Sequence, residues 1–174
     1  MSKSNLKICF AAALLAGIQG ASAFLPAAAD VPALPRSLEE AIRMERADAL
    51  PRTAFYEAPS LAGTKPGALL RQESFDGYQV PAGAHAVRIL YHSQDSHGGD
   101  VATSGVVLIP AGNPPAGGWP VIAWAHGTTG VARQCAPSLE KDMNYGEEGL
   151  MPMVRAGFAV VATDYHGLGT AGPH

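Results

Sequence analysis

Apolar runs separated by polar and glycine-rich turns divide the second half of the chain into short elements. Residues 69–75 predict an edge strand, residues 86–91 alternate apolar and polar positions, and residues 101–109 form a β-branched-rich run that stops at Pro110. The polar stretch 93–100, which contains Gly98-Gly99, joins the last two runs. These features predict an antiparallel pair of strands with an edge strand before it.

Two further apolar runs, 121–125 and 158–163, are continuous and predict strands buried on both faces. Residues 147–156 predict a helix between them, because Pro152 fits a first helical turn and Gly157 is a natural stop. A strand, a helix and a second strand in this order imply a parallel pair with a right-handed crossover. The predicted fold class is α/β: antiparallel lead-in strands followed by a parallel β-α-β unit, in an incomplete sheet.

One more helix is predicted near the start of the folded part. Ser37 is the candidate N-cap, and Glu40, three residues later, completes a capping-box pattern. Leu50-Pro51 closes the segment, because proline cannot continue a helix.

The first residues read as a secretory signal. Lys3 and Lys7 precede a short apolar stretch, and Ala21-Ser22-Ala23 is a small-residue cleavage site. We expect residues 1–23 to be a signal peptide cleaved after Ala23, residues 24–36 a flexible leader, and residues 37–174 the folded domain. The expected location is secreted or periplasmic, with no membrane span after cleavage.

Composition narrows the partners and cofactors. The chain has 12 Lys and Arg against 15 Asp and Glu, without a basic cluster, which gives no support for nucleic-acid binding. His92, His97, Asp95 and Asp100 share one polar loop without a recognised ligand spacing, so neither a metal nor a cofactor is expected. Signal cleavage leaves Cys135 as the one cysteine, either a free thiol or half of a disulfide.

The motif with the clearest chemistry is His126-Gly-Thr-Thr-Gly130, at the end of an apolar strand. Acyl transfer places negative charge on the former carbonyl oxygen, and backbone N–H groups aimed at that oxygen stabilise it. We expect Gly127 to permit a sharp turn, Thr128 to be the principal oxyanion donor and Thr129 the second. His126 is expected to anchor the turn rather than act as a base.

A second polar loop begins at Asp164, where the last predicted strand ends. An aspartate there can accept backbone N–H bonds and fix the loop beyond it, with Gly167 and Gly169 allowing tight folding. No Gly-x-Ser-x-Gly occurs in the sequence, and Ser93, Ser96, Ser104 and Ser138 all lack such surroundings. Asp164 is therefore expected to shape the site without belonging to a catalytic triad.

Taken together in order, four segments resemble the secretory lipase family of α/β-hydrolases: residues 103–110, 117–130, 135–138 and 162–174. The resemblance implies a Ser-Asp-His carboxylesterase or triacylglycerol lipase acting on small-molecule esters or acylglycerols, with its oxyanion turn at His126–Gly130. It also implies that this chain is an N-terminal fragment without nucleophile, acid and base, and inactive by itself. The alternatives are a non-catalytic secreted binding protein and a peptidase or acyltransferase of the same fold.

Overall fold

The computed structural model describes residues 34–144 and 146–174, in which five strands form one open sheet. The strands are, in chain order, β1 (Leu69–Ser74), β2 (His85–Gln94), β3 (Asp100–Ile109), β4 (Val121–Trp124) and β5 (Ala159–Thr163). Across the sheet they lie in the order β1-β2-β3-β5-β4. The predicted signal peptide, 1–23, and the leader up to residue 33 lie outside the described residues.

The lead-in strands pair as the sequence predicts. β1 lies at one edge and is antiparallel to β2, and β2 is antiparallel to β3 from His85 opposite Ile109 to Gln94 opposite Asp100. In the connecting turn, the Asp95 carboxylate accepts hydrogen bonds from the N–H groups of His97 and Gly99, each at 2.8 Å. Short polar side chains commonly fix turns in this way.

The parallel unit is also confirmed. β4 pairs in parallel with β5, from Val121 opposite Ala159 to Trp124 opposite Ala162, and helix α2 (Leu150–Arg155) connects them. The helix is shorter than the predicted segment, because Gly149 separates it from the 3-10 turn Gly146–Glu148. A Cβ at Gly149 would come within 2.6 Å of the Trp124 ring, so close packing of this indole requires glycine here.

The prediction for β4 was wrong in one respect. The strand is not buried on both faces: along Val121–Trp124, exposed residues alternate with half-buried ones, and Val121 is 65% exposed. β4 lies at the sheet edge and, among the described residues, pairs with β5 alone. The internal strand of the parallel pair is β5, which is bonded to β3 on one side and to β4 on the other.

The N-terminal helix, α1 (Leu38–Asp48), begins and ends as the sequence predicts. The Ser37 side chain accepts the N–H of Glu40 at 3.2 Å, which satisfies one of the free donors of the first turn. The reciprocal bond of a capping box is replaced, because the Glu40 carboxylate accepts from the N–H of Arg36 instead, at 2.7 Å. α1 buries no residue fully.

One face of the sheet carries the core. Side chains two apart share a face, and the buried residues of β2 and β3 include Ala86, Leu90, Val106 and Leu108 on the same face. α2 packs onto this face through Met151 and Val154. A second apolar cluster contains Tyr56, Leu139 and Leu168. In the part of the chain that the structure describes, no helix is both long and apolar enough to cross a bilayer.

Candidate active site

Two loops meet beyond the carboxyl ends of β4 and β5. Because β4 and β5 run in parallel, the segments after them emerge side by side. We call residues 125–130 the His126 turn and residues 164–169 the Asp164 loop. The sequence predicts the oxyanion donors at this end of the sheet.

The His126 turn has two of its carbonyl groups tied down by side chains. The Tyr165 hydroxyl donates to the His126 carbonyl at 2.9 Å, and His126 Nδ1 lies 2.6 Å from the Gly127 carbonyl. A carbonyl oxygen only accepts, so Nδ1 carries the proton in this bond. Two successive peptide groups of the turn are thereby held from their oxygen sides.

The His126 ring is fixed on several sides. Its Nε2 lies 3.3 Å from the Asp164 carbonyl, and with the single proton of a neutral imidazole on Nδ1 this approach is a contact rather than a hydrogen bond. The ring also stacks on Tyr165, with centroids 4.2 Å apart and planes 24° apart. These contacts join the His126 turn to the Asp164 loop.

The amides of the turn are unpaired. Within residues 34–144 and 146–174, the N–H groups of Gly127, Thr128 and Thr129 make no hydrogen bond, and Gly127 and Thr128 are exposed. In a trans peptide the C=O and N–H point in opposite directions. Because the carbonyls of His126 and Gly127 point to Tyr165 and to the imidazole, the N–H groups of Gly127 and Thr128 point away from these partners.

The two threonines differ. The Thr129 hydroxyl donates to the Cys135 carbonyl at 2.7 Å, which ties the turn to the next segment and commits the hydroxyl proton. Thr128 is exposed. Cys135 itself is half-buried and has no disulfide partner among the described residues.

Gly127, which the sequence predicts to permit the turn, shows no local feature that requires a glycine. Its φ does not lie in the left-handed region, and no atom lies within 4 Å of the position of a Cβ. The glycine that the turn requires is Gly130, with φ +132° and a Cβ position only 2.6 Å from the Cys135 sulfur.

The Asp164 loop is built around a buried carboxylate. Asp164 is 1% exposed and accepts hydrogen bonds from the Ser104 hydroxyl at 2.6 Å, the Ser138 hydroxyl at 2.5 Å and the Ser138 N–H at 2.9 Å. Burial raises the pKa of Asp164, while the bonds from the two serines oppose that shift. The carboxylate therefore holds the 3-10 turn Pro137–Leu139 against β3 and β5.

A chain of buried polar side chains continues from Ser138. The hydroxyls of Tyr56 and Tyr78 donate to the Ser138 carbonyl at 3.0 and 2.7 Å, and Arg88 Nε donates to the Tyr78 hydroxyl at 2.9 Å. Burial raises the pKa of Tyr56 to about 12 and raises that of Tyr78 further. The Arg88 guanidinium also lies over the Phe75 ring, 3.3 Å from its centroid.

Sequence reasoning missed Ser104 and Ser138 as partners of Asp164. Ser138 is buried in this cluster, so its hydroxyl is closed to substrate. Ser104 follows from sheet register: Gly105 faces Thr163, so the next residue pair along the two strands is Ser104 and Asp164. A serine within a β-branched strand was the sequence feature that could have indicated this contact. Recognising Asp164 as its partner requires the β3–β5 pairing, which the sequence does not reveal.

Two other features lie away from the His126 turn. Asp48, Glu140 and Asp142 bring carboxylate oxygens within 4.8 Å of one another where α1 meets the loop after Leu139. Burial, and then the charges of Asp142 and Asp48, raise the pKa of Glu140 to about 7. A cavity of about 260 Å³, lined in part by Trp119 and Arg155, lies near the starts of β4 and β5, at the opposite end of the strands from the His126 turn.

Comparison with solved structures shows which known folds this chain resembles. Candida antarctica lipase A in its closed state superposes with a TM-score of 0.52 at 25% identity, over 68% of this chain and 31% of that one. A second structure of this lipase gives a TM-score of 0.50 at 23% identity. The chain has a lipase/esterase-like fold.

The rice cell wall degrading esterase LipA from Xanthomonas oryzae is also similar, with a TM-score of 0.45 and 23% identity over 60% of this chain and 30% of that one. The chain thus spans about a third of the length of these structures. No protein-family profile matches the chain, and no curated protein matches it. The mixed, open five-stranded sheet with few helices is consistent with part of an α/β-hydrolase fold.

Proposed function

We propose that this chain supplies the oxyanion-binding side of the active site of an exported serine carboxylesterase or lipase. The observation that carries the proposal is the His126 turn: its carbonyls are held by Tyr165 and His126, and the amides of the exposed residues Gly127 and Thr128 have no partner in the part of the chain that the structure describes. A hydrolase needs such donors fixed before the reaction, because they then require no reorganisation when charge develops.

In this proposal the substrate is a carboxylic ester, the class that the lipase neighbours suggest. A serine of the whole enzyme, in a Gly-x-Ser-x-Gly turn, attacks the ester carbonyl carbon while a histidine takes the hydroxyl proton. The carbonyl oxygen becomes an oxyanion, which accepts the N–H of Thr128 and the N–H after that serine. Collapse of this intermediate re-forms the carbonyl and releases the alcohol, which receives the proton.

The donors of this chain have unequal roles. Thr128 is the principal donor, because the residue is exposed and its N–H lies on a peptide whose carbonyl the His126 ring holds. The Gly127 amide lies next to it on an exposed residue and is a further donor, whereas the Thr129 amide, the second donor that the sequence predicts, belongs to a half-buried residue whose hydroxyl is committed to Cys135. His126 is an anchor, since both of its nitrogens face backbone carbonyls. Export rests on the charge, apolar run and small-residue cleavage site within residues 1–23.

The direct test is anion binding at the turn, because it does not depend on the attacking serine. Butyrate, which presents a negative oxygen on an acyl carbon, is titrated into the ¹⁵N-labelled 174-residue chain. We expect saturable downfield shifts of the Gly127 and Thr128 amide protons, with a dissociation constant in the millimolar range.

Two substitutions of Thr128 distinguish the contribution of its amide to butyrate binding from that of its hydroxyl. Thr128→Pro removes the N–H, and we expect it to weaken butyrate binding at least tenfold; Thr128→Ala keeps the N–H and should bind within twofold of the native chain. Equal binding by both variants, or no saturable shift in the native chain, would contradict the proposal and favour a non-catalytic binding protein.

A further inference from the structure

Tyr165 has an unusual backbone conformation at the centre of the site. Its φ is +66°, in the left-handed region that side chains other than glycine, asparagine and aspartate rarely adopt. Such conformations persist where the surroundings hold them, and they concentrate at functional sites. Tyr165 follows Asp164 directly, so the strained residue joins the buried carboxylate to the His126 turn.

Three contacts hold Tyr165. Its N–H donates to the Thr163 hydroxyl oxygen at 3.2 Å, its ring stacks on His126, and its hydroxyl donates to the His126 carbonyl at 2.9 Å. The left-handed backbone thus sends the side chain across to the neighbouring loop, where it contacts both the imidazole and the peptide group after it.

We propose that Tyr165 is a positioning residue for the oxyanion turn, which it orients by fixing the His126–Gly127 peptide group. This inference rests on the proposed function and extends it to a residue that touches no substrate. Its physical basis is the planarity of the peptide: a hydroxyl that holds the His126 oxygen also determines where the Gly127 N–H points.

Gly127 makes this anchor necessary. The glycine has no side chain to restrict its dihedral angles, and nothing lies within 4 Å of the position of a Cβ. Glycine therefore leaves rotation of the 126–127 peptide less restricted, and the bond from Tyr165 to the His126 carbonyl orients this peptide, while the contact of the imidazole with the Gly127 carbonyl orients the next one. Loss of the Tyr165 hydroxyl leaves one of these two bonds.

The test compares two tyrosine hydroxyls near the same strand end. Tyr165→Phe removes the bond to the His126 carbonyl and keeps the ring stack. Tyr91→Phe is the matched control, because the Tyr91 hydroxyl is hydrogen-bonded to Thr163 at 2.8 Å and, among the described residues, makes no hydrogen bond to the turn; it reaches Tyr165 only through the Thr163 hydroxyl, which accepts the Tyr165 N–H. Each variant of the full chain is measured for its urea midpoint, its Gly127 and Thr128 amide resonances, and its affinity for butyrate.

We expect the two variants to lose similar stability, while Tyr165→Phe alone moves the Gly127 and Thr128 resonances and weakens butyrate binding fivefold or more. Native affinity and unmoved resonances in Tyr165→Phe would overturn the inference, as would an equal loss of affinity in Tyr91→Phe. If the native protein binds no butyrate, the proposed function fails, and the amide resonances alone test the role of Tyr165. Shifted Gly127 and Thr128 resonances in Tyr165→Phe would then support Tyr165 as the anchor of the turn, and unshifted resonances would contradict it.

Discussion

The Asp164 loop and the His126 turn follow adjacent parallel strands, but they treat their polar groups in opposite ways. Asp164 is 1% exposed, and its carboxylate accepts three hydrogen bonds from Ser104 and Ser138. In the His126 turn the carbonyls are held, while the described residues offer the Gly127 and Thr128 amides no acceptor. The Asp164 carboxylate is thus hydrogen-bonded in the interior, whereas the turn carries its unpartnered amides on two exposed residues.

The difference indicates a division of labour. Unmade hydrogen bonds cost little where water replaces the partner, so the exposed turn can keep free amides. Holding them in one direction requires a support, and the Asp164 loop, itself fixed by its buried carboxylate, lies against the turn. The two loops are linked by the His126 ring, which faces the Asp164 carbonyl, and by the Tyr165 side chain.

Replacing the carboxylate should produce the largest effect. Asp164→Ala leaves the two serine hydroxyls and the Ser138 N–H buried without their acceptor, and we expect it to lower the free energy of unfolding by about 3–5 kcal/mol. Asp164→Asn keeps the shape and one acceptor, and should lose roughly half as much. Urea denaturation measures both. A loss below about 1 kcal/mol in the alanine variant would mean that the carboxylate does not support the loop.

The three neighbouring carboxylates Asp48, Glu140 and Asp142 should make stability depend on pH. The pKa of Glu140 is raised from 4.5 to about 7, so the folded state binds more protons than the unfolded chain between these values. The stabilisation from the protonated carboxyl is complete below the lower value and is lost as pH rises through the higher one.

Glu140→Gln should remove this dependence. Between pH 5 and pH 8 we expect the native chain to lose about 1–2 kcal/mol relative to the variant, because solvent screens part of the repulsion at this half-buried site. Urea denaturation at the two pH values gives the comparison. Parallel pH profiles of the native chain and the variant would contradict the assigned shift.

The smallest expected change in stability comes from substituting the two threonines of the turn, which should differ from each other. Thr129→Val removes the donor to the Cys135 carbonyl and should cost about 1 kcal/mol. Thr128→Val alters an exposed side chain and should change stability by less than about 0.5 kcal/mol. Thermal melts of the pair test this, and equal losses would show that Thr129 does not brace the turn.

Local signals in the sequence predicted local structure well. Ser37 caps α1, Pro152 lies in the first turn of α2, and Gly157 follows that helix with φ +89°. The apolar runs and the turn between them predicted the antiparallel strands and the parallel unit, because side-chain period and turn residues act over a few positions.

Features that depend on contacts distant in sequence were not predicted. An apolar run such as 121–124 does not reveal its place in the sheet, and the edge position of β4 leaves Val121 exposed. Likewise, Ser104 meets Asp164 from 60 residues away, and nothing in their spacing indicates the contact. The left-handed backbone of Tyr165 has no sequence signature either, because tyrosine is not a residue that favours it.

Native-state hydrogen exchange tests the contrast between the two loops most directly. The Ser138 N–H, buried and bonded to Asp164 at 2.9 Å, should exchange slowly, at a rate set by the opening of its loop. The amides of Gly127 and Thr128 should exchange at nearly the rate of an unstructured peptide and slow down when butyrate is added. Gly127 and Thr128 amides as protected as that of Ser138 in the free protein would contradict an open oxyanion turn.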